Sequence, residues 1–201
     1  HLGTSSWHFP GWAGLVWGGD YAESRLSKDG LAAYAQHPLL TTVSLDRAFY
    51  RPLSASQYAR YAAQVPPHFR FVVKAPSLVC DALVRAEDGR GMAPNPAFLN
   101  ADLAAQEFIR PALQGLGDKV GALVFQISPV PRSLLAAVPA LIDRIGALLA
   151  ALPRLAPTAP DGVIALEVRD AAFLAPANAP LLARALRAAR QAIGNPVTYC
   201  L

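Results

Sequence analysis

Short apolar runs recur along this chain with helix-period stretches between them, and that alternation constrains its fold more than any other feature. It is the signature of βα units around a parallel sheet. Six strands are predicted, at 2–6, 41–46, 69–74, 120–127, 162–168 and 196–201, and most carry apolar residues on both parities. Parallel strands buried on two faces read that way. The segments 30–37, 54–65, 96–115, 133–152 and 176–193 place apolar residues at helical spacings and are read as the crossover helices. Ser54 is an expected N-cap, Asn100 with Asp102 lies near the start of the long third helix, and Gly115 and Gly194 mark expected helix ends. Residues 78–96 lack periodicity and read as a long surface loop after the third strand. The proline-rich stretch 153–160 reads as a stiff spacer within one domain spanning 1–201.

Composition narrows the function. With 53% hydrophobic and 16% charged residues, the chain is too apolar for a disordered one. The net charge is +4, with fifteen arginines against three lysines, which is mildly basic without the density of a dedicated nucleic-acid binder. Cys80 and Cys200 are too few for a disulfide framework and suit a reducing compartment, so a cytoplasmic location is expected. The most apolar stretch, 133–157, is interrupted by Asp143 and Arg144 and reads as a core helix rather than a membrane span.

Five ordered motifs carry a resemblance. They are Gly3-Thr4-Ser5-Ser6-Trp7 with Trp12 following, Ala48-Phe49-Tyr50-Arg51, the run from Phe69 to Pro76, the run from Leu123 to Pro129, and Ala165-Leu166-Glu167-Val168-Arg169. The set resembles the YecE-like family, also known as the domain of unknown function 72 (DUF72) family, over essentially the whole chain. The resemblance implies an α/β fold of the TIM-type β/α barrel, with a site and no particular reaction. Two departures stand out. Where the family usually has an acidic residue and an asparagine on strand two, this chain has Ser44 and Asp46, so a catalytically silent member is one reading. The chain also carries about six of the eight βα units, whereas a full barrel needs about 250 residues. The C-terminal strands are therefore expected to be missing, since truncation or completion by another chain fits better than a stable open monomer.

In β/α barrels the active site lies at the C-terminal ends of the strands, which converts strand position into a list of candidates. Ser6 and Trp7 follow strand one, and Asp46, Tyr50 and Arg51 follow strand two. Lys74 closes strand three and Gln126 closes strand four. Glu167 and Arg169 close strand five, and Tyr199 lies in strand six. A lone ammonium after Phe71-Val72-Val73 calls for a counter-charge or a ligand, and an ion pair between Lys74 and Glu167 competes with a functional role. Glu167 and Arg169 share a strand face, so they can meet one substrate or simply each other. Trp7, Trp12, Phe49 and Tyr50 read either as an aromatic wall or as packing.

The catalytic candidates are thus Glu167, Lys74 and Asp46, and the binding candidates are Arg169, Gln126, Tyr50, Arg51, Trp7, Ser6 and Tyr199. The leading expectation is a small anionic ligand, phosphorylated or carboxylated, held by Lys74 and Arg169, with Glu167 as general acid or base. No metal-binding spacing of His and Cys exists, and magnesium is expected only with a phosphorylated ligand, through Asp46 and Glu167. The alternative partner is nucleic acid, through Arg51, Arg70, Arg184, Arg187 and Arg190.

Overall fold

The computed structural model describes residues 1–86 and 88–200. Glu87, within the expected loop, and Leu201, the expected end of the sixth strand, lie outside the described residues. The strands are β1 (Gly3–Thr4), β2 (Thr42–Leu45), β3 (Arg70–Lys74), β4 (Leu83–Arg85), β5 (Gly91–Pro94), β6 (Val120–Ile127), β7 (Val163–Val168) and β8 (Val197–Cys200). Six of them form a sheet in the order β1-β2-β3-β6-β7-β8, every pair parallel. Each strand lies beside the next in sequence, so the sheet winds in one direction with no switch point, as a β/α barrel does. Among the described residues β1 and β8 do not pair with each other, and the sheet stays open.

The helices are α1 (Glu23–Asp29), α2 (Leu31–Tyr34), α3 (Arg47–Tyr50), α4 (Ala55–Ala62), α5 (Ser77–Cys80), α6 (Ala101–Ala104), α7 (Arg110–Leu116), α8 (Arg132–Leu135), α9 (Val138–Ala150) and α10 (Ala179–Ile193). Unidirectional winding places the crossover helices on one side of the sheet, and alternate strand residues are buried beneath them. Val43 and Leu45, Phe71 and Val73, Leu123 and Phe125, and Ile164 and Leu166 fill this core. Each such aliphatic or aromatic side chain contributes about 1.5–3 kcal/mol by leaving water. The opposite parity carries Ser44, Lys74, Gln126 and Glu167, each only partly buried. The sheet therefore has one dry face and one chemical face.

Several boundaries differ from the sequence reading, each for a local reason. The helix expected over 96–115 starts at Ala101, with the Asn100 side chain capping the Leu103 N–H at 2.9 Å. It then widens into a π-helical turn at Ala105–Ile109 before α7. Pro111 lacks the N–H for a regular helical bond and its ring crowds the turn before it, which a π turn accommodates. The stop is Gly117, at φ 60°, rather than Gly115. Gly115 instead lets α7 approach α4: a Cβ there would collide with the Ala55 carbonyl and the Tyr58 side chain. The helix expected over 133–152 breaks into α8 and α9, because Pro139 sits in the first turn of α9 and favours a fresh start. The segment 78–96, expected as loop, holds the end of α5 and the antiparallel hairpin β4–β5. Residues Gly91–Pro94 of that hairpin are all exposed and show no alternation of burial, so no periodicity signal marks them.

Candidate functional site

The chemical face gathers its polar groups at the C-terminal ends of β2, β3, β6 and β7. Asp46 follows β2, and its two oxygens have different partners. Ser44 Oγ donates to Oδ1 at 2.5 Å, and Lys74 Nζ lies 3.7 Å from Oδ2. The strand-two pair that departs from the family pattern is thus a bonded unit that faces Lys74. Lys74 pairs with Asp46 rather than with Glu167.

Lys74 differs from Lys119 in one telling way. Lys119 Nζ donates to the carbonyls of Ala62 and Val65 at 2.6 and 2.7 Å, which is a structural use of an ammonium. Lys74 has a side chain only 25% exposed, yet among the described residues it donates no hydrogen bond within 3.5 Å. An ammonium has three donors, so the ends of β2 and β3 hold a half-satisfied cation.

The second cluster spans β6 and β7. Gln126 and Glu167 are register partners. Arg169 joins them, with its Nε 2.8 Å from Glu167 Oε1 and its Nη2 donating to Gln126 Oε1 at 3.1 Å. The Glu167 side chain is 17% exposed and that of Arg169 49% exposed. Two partners orient the guanidinium, and its remaining N–H groups have no partner among the described residues. The Val130 N–H donates to Asp170 at 2.9 Å, which ties the loops after β6 and β7 together at the rim.

Cys200 is the member that strand-end reading missed as a site residue. It is the register partner of Glu167 on edge strand β8. Burial raises its thiol pKa, the Glu167 carboxylate raises it further, and the Lys74 ammonium pulls it back less. Lys74, Glu167 and Cys200 therefore share one electrostatic neighbourhood. The signal in the sequence is the parity of Cys200, which places it on the face of Glu167 once the register is known.

Other candidates are placed elsewhere. Trp7 is buried, with its indole N–H on the Leu26 carbonyl at 3.2 Å, and its ring packs edge-on against Tyr61. Ser6 accepts the Thr4 hydroxyl through its carbonyl, within the β1 turn. Tyr199 pairs with Leu166 and so lies on the helix side of the sheet, opposite to Glu167. Arg51 is exposed and has no carboxylate within 4 Å among the described residues. Tyr50 is 82% exposed at the end of α3, edge-to-face with Phe49. Among the described residues no three His, Cys, Asp or Glu side chains gather as a metal site, and no helix is long and apolar enough to cross a membrane.

A singly wound parallel sheet with its polar residues collected at the strand C-termini defines the β/α-barrel class of architecture. Within that class the chain belongs to the DUF72 family, described as protein of unknown function DUF72, whose family profile matches residues 1–193. Its fold is that of a DUF72 family protein from Enterococcus faecalis V583. One crystal structure of that protein, at 3.10 Å, matches with TM-score 0.58 and 18% identity, covering 98% of this chain and 58% of that one. A second, at 2.52 Å, matches with TM-score 0.51 and 22% identity, covering 82% and 57%. The chain thus spans under two thirds of the length of these relatives. No curated protein matches it.

Proposed function

We propose that the C-terminal mouth of the sheet binds a small anionic ligand, phosphorylated or carboxylated, with Lys74 and Arg169 as its cations. The observation that carries this reading is Lys74: a partly buried lysine with one carboxylate at 3.7 Å and no hydrogen bond among the described residues. A ligand oxygen there would supply what the protein leaves unmade. Arg169, steered by Glu167 and Gln126, offers its remaining N–H groups to the same anion. Asp46 holds the Lys74 ammonium at the strand ends, and Glu167 is the acid or base for a bound ligand that undergoes proton transfer. Magnesium enters this reading only with a phosphorylated ligand, because Asp46 and Glu167 are each already engaged by a cation.

The test is a melting-temperature screen with phosphate, sulfate and small carboxylates. An anion at one hundred times its Kd stabilises the fold by about 2.7 kcal/mol. The expected result is an upward shift that is lost in Lys74→Met and Arg169→Met and kept in Lys74→Arg. A shift that survives both Met variants, or no shift from any anion, overturns the reading.

A second reading rests on Arg184, Arg187 and Arg190, exposed along α10 without a carboxylate within 4 Å among the described residues. They fit a nucleic-acid backbone. Arg70 does not join them, since its guanidinium donates to the Pro67 and Phe69 carbonyls. Filter binding that weakens steeply with salt would favour this reading, and flat binding would remove it.

A further inference from the structure

The site at Gln126 opens into a cleft of about 890 Å³. One wall is Phe49 and Tyr50 of α3, the other is Leu83, Val84 and Arg85 of the hairpin, and Gln126 with Ser128 lies at the strand ends. Its volume is within the range of small-molecule sites, about 300–1,000 Å³, and far exceeds what a bare phosphate or sulfate occupies. A simple inorganic anion would leave most of it empty.

The walls say what else the ligand carries. Tyr50, Val84 and Leu78 are large apolar side chains left exposed around this one cleft, and Pro52, Pro76 and Pro129 add rigid apolar surface. The wall charges are spent. Asp81 takes two bonds from the Arg85 guanidinium, whose third nitrogen donates to the Gly89 carbonyl at 3.0 Å. Further cations are Arg51, between the lining residues Tyr50 and Pro52, and, past Gln126, Arg169, which bonds that side chain, and Lys74, the last two each beside a carboxylate and with N–H donors to spare. The lining runs from apolar between the walls to polar at Gln126 and Ser128, with the ion pairs of Arg169 and Lys74 beyond it.

From this we infer that the ligand is an aromatic acid: a planar ring bearing a phosphate or carboxylate, with the ring between the Phe49–Tyr50 pair and the hairpin, and the anionic group at Gln126, Arg169 and Lys74. The inference rests on the anion reading above and adds the ring. Phe49 and Tyr50 stand edge-to-face with centroids 5.5 Å apart, so a ring in the cleft meets an aromatic corner.

Phenyl phosphate and inorganic phosphate separate the two claims by calorimetric titration of the whole chain. Phenyl phosphate is expected to bind at least tenfold more tightly than phosphate. Tyr50→Ala, at an exposed position, brings that ratio towards one, and Tyr50→Phe restores it. Lys74→Met weakens both ligands. Equal affinity for the two ligands, with both weakened by Lys74→Met, overturns the aromatic ring and leaves the anion reading standing. Binding of either ligand that ignores Lys74→Met, or no binding at all, overturns both.

Discussion

Cys200 reports on its neighbours. Its thiol is held protonated first by burial and then by the Glu167 carboxylate, while Lys74 works in the other direction. Glu167→Gln is therefore expected to lower the pH midpoint of Cys200 alkylation, and Lys74→Met to raise it, read by mass spectrometry on the Cys200 peptide. Identical midpoints in all three proteins would contradict the shared neighbourhood. At this scale the candidate residues Lys74, Gln126, Glu167 and Arg169 were legible as strand ends, but their partners were not. Asp46 wins Lys74 because β2 is the strand directly beside β3. Glu167 lies two strands away, about 10 Å at ordinary strand spacing, and takes the arginine two residues along its own chain. Strand order decides such pairings, and no single strand discloses it.

At the scale of elements, Gly115 shows how a packing constraint hides in a sequence. It reads as a helix stop, yet it sits inside α7, where its missing side chain lets α4 come close. Gly115→Ala drives a methyl into the Ala55 carbonyl and Tyr58, the latter fully buried. It is expected to destabilise the fold by about 1–3 kcal/mol despite the better helix propensity of alanine, measured as a lower urea midpoint with an unchanged slope. An unchanged or raised midpoint would mean that α4 gives way freely. Strand β6 coincides with its expected span, 120–127, because an apolar run interrupted only by Gln126 leaves little choice. The hairpin stayed hidden because its strands bury almost nothing, and periodicity reports burial.

For the molecule as a whole, the titrating groups that depart from ordinary values depart in one direction. Cys80, Tyr58, Tyr34 and Cys200 all hold their protons more tightly in the fold, chiefly because burial penalises their anions. The stability this represents is fully present below the unfolded thiol value of 9.0 and is lost as pH rises through the folded values. Urea midpoints are expected to hold near neutral pH and to fall steadily above about pH 9, with Cys80→Ala flattening part of the decline. A midpoint that stays level into that alkaline range would contradict the burial of these groups. The parallel sheet and its crossover helices were readable from the alternation of runs, because each βα unit announces itself locally, whereas the barrel-type winding and the site at the strand ends came from the family resemblance. The cleft was not, because it exists only where an inserted hairpin meets two strand ends.

That hairpin enters the chain between β3 and β6, yet those two strands pair directly with each other and the sheet order skips β4 and β5. Its base is pinned by the Asn95 side chain, which donates to the Leu78 and Asp81 carbonyls at 2.8 Å, and by the buried Asp81 carboxylate on Arg85. Frame and wall are consequently separable modules. Substitutions at the exposed hairpin positions can reshape the wall of the cleft without touching a ladder bond of the sheet.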